Sequence, residues 1–234
     1  MNGEDGRPAI SVAGLTKIFS DPARGRVEAA VDLTFTCRPG EALGLLGPNG
    51  AGKTTTLRML ATILTPTAGT ATVAGFDVVR DGQEVRRAIG YISPATGLYQ
   101  RLTPRETLRY FAGLHGLSGP TLDGRVETMV ARFDLGKYAD TRVEKLSTGN
   151  KQKLSLARAL VHDPPVLILD EPTTGLDVLV ASEAMDLTLE AKAAGKAIVY
   201  STHIMAEVAP LPDRVAVIHE DASAARGRSP ETRR

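Results

Sequence analysis

Hydrophobic and polar positions change their period several times along the chain, and each change marks an element. Ile10-Ser11-Val12 and Val31-Asp32-Leu33-Thr34-Phe35 alternate, as strands with one buried face do. The polar run Ser20-Asp21-Pro22-Ala23-Arg24-Gly25 between them predicts a turn. Ala42-Leu43-Gly44-Leu45-Leu46 is apolar without a break and runs into glycines, the pattern of a parallel strand buried on both faces. Leu57, Met59, Leu60, Ile63 and Leu64 then recur at helical spacing until Thr65-Pro66. Residues 70–73 and 89–93 predict two further short strands.

From residue 94 to about 160 the pattern becomes helical. Thr103-Pro104-Arg105-Glu106 is a capping box with proline at the first helical position, so Thr103 accepts from the Glu106 amide while the Glu106 side chain reaches back. Leu108, Phe111, Ala112 and His115 share the following face, and Gly116 ends it. A second helix is predicted over 123–133, closing near Gly136. After Pro165 the earlier pattern returns: a strand at 166–169, a helix at 178–194 and a strand at 197–200. A short helix at 204–209 and a last strand at 214–218 follow. Strands alternating with helices on both sides of a helical insert imply an α/β fold with a parallel core.

Candidate chemistry lies where strands meet loops. Gly47-Pro48-Asn49-Gly50-Ala51-Gly52-Lys53-Thr54 matches G-x-x-x-x-G-K-[ST] after a strand and before a helix, the context that confirms a phosphate loop. Glycines let backbone N–H groups turn inward around phosphate oxygens, and the helix N-terminus adds positive potential. Lys53 would neutralise β- and γ-phosphates, and the Thr54 hydroxyl would ligate Mg2+. Asp170, at the end of the apolar run Val166-Leu167-Ile168-Leu169, can hold that ion through water. Glu171, next in the chain, can polarise an attacking water. Leu146-Ser147-Thr148-Gly149-Asn150 precedes a helix, and its residues expose amides either as a second anion site or as a plain helix cap.

Composition narrows the classes. Lys plus Arg is 28 and Asp plus Glu 27, a net charge of +1, which argues against a nucleic-acid partner. Aromatic residues are 4% of the chain, with no Trp, so base-stacking platforms are disfavoured too. No apolar run reaches the roughly 18 residues of a membrane helix. The lone Cys37 cannot form an internal disulfide, and the first residues lack the basic and apolar regions of a signal peptide. A reducing cytoplasm is the expected location. A GTPase would need N-K-x-D, and Asn150-Lys151-Gln152-Lys153 fails it.

With these motifs in order, the chain resembles the nucleotide-binding domain of ABC transporters over about residues 8–220. The motifs are the Walker A loop (Gly47, Pro48, Asn49, Gly50, Ala51, Gly52, Lys53, Thr54, Thr55), the signature (Leu146, Ser147, Thr148, Gly149, Asn150) and Walker B with Asp170 and Glu171. Gly175-Leu176-Asp177 fits the D-loop and Ser201-Thr202-His203 the switch. The resemblance implies a P-loop NTPase (RecA-like) parallel-sheet core, 8–93 and 161–220, with an N-terminal antiparallel β subdomain and an inserted α-helical subdomain, 94–160. It implies ATP and Mg2+ as ligands, and a homodimer or heterodimer holding ATP between the Walker loop of one subunit and the signature of the other. Ser147, Gly149 and Asn150 would then contact the γ-phosphate across the interface. Glu171 would act as base, and His203 would clamp the γ-phosphate. Phe19 falls where the family stacks an aromatic on adenine, a core position being the alternative.

Three stretches are similar to bacterial sodium-export ATPases and the wider ABC-2 type exporters: Pro94 to Tyr99, Ser147 to Lys153, and Ser201 to Val208. That similarity implies a peripheral subunit on the cytoplasmic membrane face, powering a separate integral membrane permease. A soluble ABC ATPase without a membrane partner is the competing reading. Two departures stand out. The family commonly reads G-Y-x-x-Q where this chain reads Gly90-Tyr91-Ile92-Ser93-Pro94, so proline replaces the glutamine. Proline offers neither an amide side chain nor an N–H, so Ser93, Thr96 or a water must take over that contact, or the position serves as a stiff hinge. After residue 218 apolar periodicity ends, which predicts a tail without structure over 221–234 and suggests a naturally short or frame-shifted C-terminus.

Overall fold

The computed structural model describes residues 7–22, 25–94, 97–174, 178–202, 212–218 and 225–227, the last three by their backbone. Strands β1 (Ile10–Asp21) and β2 (Gly25–Cys37) form a long antiparallel hairpin whose ends meet at Asp21 and Gly25. Of the turn expected at 20–25, residues 20, 21 and 25 are paired strand residues instead, and residues 23 and 24 lie outside the described residues. Both strands outrun their alternating segments, because backbone pairing near an exposed tip needs no buried face. After β3 (Ala42–Leu46) come α1 (Lys53–Leu60), β4 (Ala68–Val73), β5 (Phe76–Asp77), α2 (Gly82–Ala88) and β6 (Ile89–Ile92). Pairing of β1 with β4, and of β4 with β5, completes an antiparallel sheet in the order β2-β1-β4-β5.

Helix α1 stops four residues before the apolar spacing does. Thr62 is left-handed (φ 61°), and the N–H groups of Thr62 and Ile63 donate back to the carbonyls of Met59 and Arg58. That 5→2 and 6→1 pairing closes the helix C-terminus, and Ile63 is left 56% exposed. Helix α2 and strand β5 carry no sequence signal, since β5 has two residues and α2 buries only Val85 and Ala88.

The helical insert contains α3 (Pro104–Leu114), α4 (Gly119–Arg132) and α5 (Thr148–Leu160). The Thr103–Glu106 capping box forms in both directions, and Gly116 takes a φ of 87° just past the end of α3. Helix α4 starts earlier than the predicted residue 123, because Pro120 is suited to a first helical turn. The chain then returns through β7 (Val166–Asp170), α6 (Val178–Ala193), β8 (Ala197–Thr202), β9 (Arg214–Val217) and β10 (Ala225–Gly227). The second sheet has the order β10-β9-β3-β8-β7-β6, and its five strands other than β10 are parallel.

Every residue of β3, β7 and β8 is buried. Leu43, Leu45, Val166 and Ile168 face a core shared with α1 and the antiparallel sheet. Ala42, Leu46, Leu167 and Leu169 face a second core shared with the helical insert. Two buried faces explain why these strands read as unbroken apolar runs. The helix expected at 204–209 lies outside the described residues. The expectation of a structureless tail needs correction at residues 225–227, which pair antiparallel with Val215 to Val217. An open sheet edge offers backbone donors and acceptors to any chain that reaches it, whatever its side chains.

Where α3 and α5 end, His115 and His162 stack with ring centroids 3.5 Å apart and planes 6° from parallel. His162 Nε2 lies 3.0 Å from the Ile89 carbonyl oxygen, an acceptor, so that nitrogen carries the proton. Burial, and then the neighbouring His115, lower the His162 pKa to about 4, against the opposing hydrogen bond to Ile89. The fold thus favours neutral His162, while the unfolded chain protonates it near 6.5. Its contribution to stability is complete above pH 6.5 and declines as pH falls from 6.5 towards 4. Melting temperatures at pH 7.5 and 5.5 should therefore drop more for the wild type than for His162→Gln. Equal drops would remove His162 as the cause. The carboxylates with lowered pKa, Asp77, Asp163 and Asp213, titrate below that window.

Candidate active site

Parallel register brings the C-terminal ends of three strands into one row, with Leu46 opposite Thr202 and Asp170 opposite Ser201. Open α/β sheets bind ligands at that edge. The phosphate loop leaves β3 there and enters α1. Two of its glycines are required by close approach: a Cβ on Gly47 would stand 2.3 Å from the Ile218 carbonyl oxygen, and one on Gly52 2.0 Å from that of Ala29. Gly52 also takes a φ of 94°. Ala51 is buried in the core under the loop.

Lys53 is buried, and its Nζ donates to the carbonyl oxygens of Gly47 (2.7 Å) and Pro48 (2.9 Å). Burial lowers its pKa, while the nearby Glu171 and Asp170 carboxylates hold it up. Asp170 Oδ1 accepts from Thr54 Oγ1 at 3.0 Å and from Ser201 Oγ at 2.7 Å. Ser201 Oγ in turn accepts from the Glu171 backbone N–H at 3.1 Å, so one hydroxyl ties both acidic residues to β8. Glu171 sits in the left-handed region (φ 47°), and its Oε2 accepts from Thr174 Oγ1 at 3.2 Å. Backbone strain of this kind in a non-glycine residue gathers at functional sites. Ala29, Asn49, Gly50, Lys53, Thr54 and Glu171 are among the residues lining a cleft of about 170 Å³ here. Thr54 and Asp170 offer adjacent hard oxygen donors, the donor type that Mg2+ takes, so the residues fit that ion.

Ser201 enters the sequence reading only as the first residue of the switch, and its hold on Asp170 and Glu171 is not among the roles expected there. Its signal is a hydroxyl near the end of an otherwise apolar buried strand. Ala29, which lines the cleft from β2, carries no signal at all. The signature is elsewhere: Ser147 caps α5 by accepting from the Asn150 N–H at 3.3 Å, and a Cβ on Gly149 would meet Val180 of α6 at 2.9 Å. Leu146 is buried, and none of Leu146, Ser147, Thr148, Gly149 and Asn150 lines the cleft. Phe19 is 38% exposed on β1, with Lys17 Nζ 5.1 Å from its ring centroid, so the core alternative does not hold. Pro94 is exposed in a turn that ends β6, and Ser93 beside it is buried. Thr96, Asp177 and His203 lie outside the described residues.

A glycine loop at the carboxyl edge of a parallel sheet, enclosing a lysine and faced by an Asp-Glu pair, defines a P-loop nucleoside triphosphatase. Residues 30–174 match the family model described as ABC transporter. The chain belongs to the ABC transporter family. It is 42% identical over 219 residues to the ABC transporter ATP-binding protein NatA of Bacillus subtilis (strain 168), covering 93% of this chain and 89% of that protein. The Nod factor export ATP-binding protein I of Burkholderia lata is 42% identical over 195 residues, 83% of this chain and 64% of its own length. A solved structure of an ATP binding subunit of an ABC transporter superposes with a TM-score of 0.81 at 30% identity, covering 94% of this chain and 90% of that one. A dimeric bacterial cassette gives 0.82 at 24% identity, over 94% and 99%, a likeness of fold. The chain is an ATP-binding, ATP-hydrolysing subunit of an ABC transporter. Among the described residues no helix is long and apolar enough to cross a membrane.

Proposed function

We propose that this subunit drives an ABC-2 type exporter of sodium or drugs, acting on a separate integral membrane permease from the cytoplasmic face by ATP-driven closure of a dimer. Relatives named NatA, Nod factor export ATP-binding protein and probable multidrug ABC transporter ATP-binding protein support the exporter reading. One observation supports the dimer: the chain's own signature does not line its Walker cleft, which leaves that side of the cleft open to the signature of a second subunit. In this reading the Gly47 to Thr55 backbone and Lys53 hold the β- and γ-phosphates, and Phe19 stacks on adenine. Ser147, Gly149 and Asn150 contact the γ-phosphate bound to the other subunit. Thr54, with Asp170 behind it, would hold Mg2+, whose charge offsets that of the phosphates. Glu171 takes a proton from the attacking water. Asp177 and His203 complete the site from the D-loop and the switch. Co-expression with its membrane partner tests the reading: the subunit should co-purify with an integral membrane protein from detergent-solubilised membranes. Quantitative recovery as a free soluble ATPase would instead support the reading without a permease.

Pro94 bears on coupling rather than on ATP binding. Proline ends β6 and restricts Ser93 to extended backbone. Pro94→Gln is expected to leave ATP affinity within about twofold and to change mainly turnover or its coupling, since no contact to the loop is lost. Turnover of Ser93→Ala and Thr96→Ala, measured beside it, decides the rest. If neither is slower, side-chain replacement of the missing glutamine is wrong and the stiff-hinge reading stands.

A further inference from the structure

Glu171, read above as the base, holds an unfavourable backbone, and its turn is anchored from two sides. A φ of 47° is left-handed, and the following Pro172 narrows further the backbone open to residue 171. A residue in such a conformation persists only when its surroundings over-determine it. From the core, the Ser201 carbonyl and hydroxyl oxygens both accept from the Glu171 N–H, at 3.2 and 3.1 Å. The Thr174 N–H closes the turn on the Glu171 carbonyl at 3.2 Å. From the helical insert comes Gln152. Its Nε2 donates to the carbonyl oxygen of Pro172 at 2.7 Å, and Pro172 is itself buried. The acceptor is a backbone oxygen, so the amide must present its nitrogen and acts here as a donor.

Gln152 lies on α5, the helix that Ser147 of the signature caps. It follows Gly149 by three residues, and positions i and i+3 are neighbours on a helix surface. Gly149 packs too closely on Val180 of α6 to carry a side chain, and Lys153 Nζ pairs with Glu183 Oε2 of α6 at 2.9 Å. The first turns of α5 are thus seated on α6, and a shift of α5 against the core sheet is carried to the Pro172 carbonyl, one residue past Glu171. We propose that Gln152 is a positioning residue for hydrolysis: its amide holds the Glu171 turn to the signature helix of the same subunit. The proposal rests on the reading of Glu171 as base and of the signature as the grip on ATP bound to the other subunit. The helix that meets that ATP is then also the one that sets this subunit's base. A role in packing alone is served by any side chain of similar length, whereas holding a carbonyl needs a donor.

The test uses the whole subunit and compares Gln152→Met, which keeps the length and loses the donor, with Gln152→Lys, which restores one. Gln152→Met should lower turnover at saturating ATP about tenfold and leave ATP affinity within about twofold, as loss of an interaction that acts after binding does. Gln152→Lys should recover most of that turnover. Added to Glu171→Gln, Gln152→Met should slow single-turnover hydrolysis no further, because a residue that acts through Glu171 has nothing left to position. The double variant should still form the ATP-trapped dimer on size-exclusion chromatography, since the grip of the signature does not depend on this amide. Melting curves that match the wild type show that the variants fold, and the comparison within the Glu171→Gln background is independent of any difference. Four results overturn the proposal and leave the base reading intact: wild-type turnover in Gln152→Met, no recovery with Gln152→Lys, a rate loss that adds to that of Glu171→Gln, or a double variant that no longer dimerises while Glu171→Gln alone does. Full turnover in Glu171→Gln itself, or no ATP dimer from it, overturns both.

Discussion

Lys53→Ala is expected to bring ATP hydrolysis down at least about 100-fold, to background, through loss of a charge aimed at the transferring phosphate. The ammonium is already buried inside the curl of the phosphate loop, held by the Gly47 and Pro48 carbonyls rather than by a carboxylate. Burial disfavours its charge, while Glu171 and Asp170 sustain it. An arriving triphosphate would offer the same ammonium anionic oxygens, and hydrogen bonds between charged groups are roughly twice as strong as neutral ones. Alanine also strands the two loop carbonyls, so the variant's melting curve belongs beside its turnover and its ATP affinity. A folded Lys53→Ala subunit that keeps most of its activity would remove this loop from the reaction.

Glu171→Gln should separate binding from hydrolysis. The amide keeps the side chain's shape but cannot accept a proton, and loss of a general base costs about 10²–10⁴-fold in rate. The left-handed backbone of Glu171, the Ser201 hydroxyl on its N–H and the Thr174 hydroxyl on its carboxylate hold the group at the cleft, and the first two are unaffected by the change. ATP should therefore still bind, and the subunit should accumulate as an ATP-trapped dimer on size-exclusion chromatography. A variant that stays monomeric with ATP and still turns over would take the base role away from Glu171. Turnover lost without any dimer would speak against closure as the step that follows binding.

Much of the site is legible in the chain before any coordinates, because its chemistry depends on local spacing. Gly47 to Thr54 must be contiguous for a loop to curl on a helix N-terminus, and an Asp-Glu pair must follow an apolar run to sit at a buried strand's end. The Thr103–Glu106 box is equally local, and it forms as spaced. The parallel core was readable for the same reason, since strands buried on both faces cannot alternate. Other features depend on distant neighbours. Only register across β7 and β8 puts Ser201 under Asp170, 31 residues away. Gly52 is required by a carbonyl of β2, and the pairing of residues 225–227 by the open edge of β9. Likewise, Ile63 and Phe111 read as ordinary apolar positions, and only the packing of the helical insert against β6 and the turn after α1 brings them to line one cleft with Arg158. Periodicity records which side of its own element a residue occupies. Which elements face each other, and which donors are left without an acceptor, is decided only when the layers close.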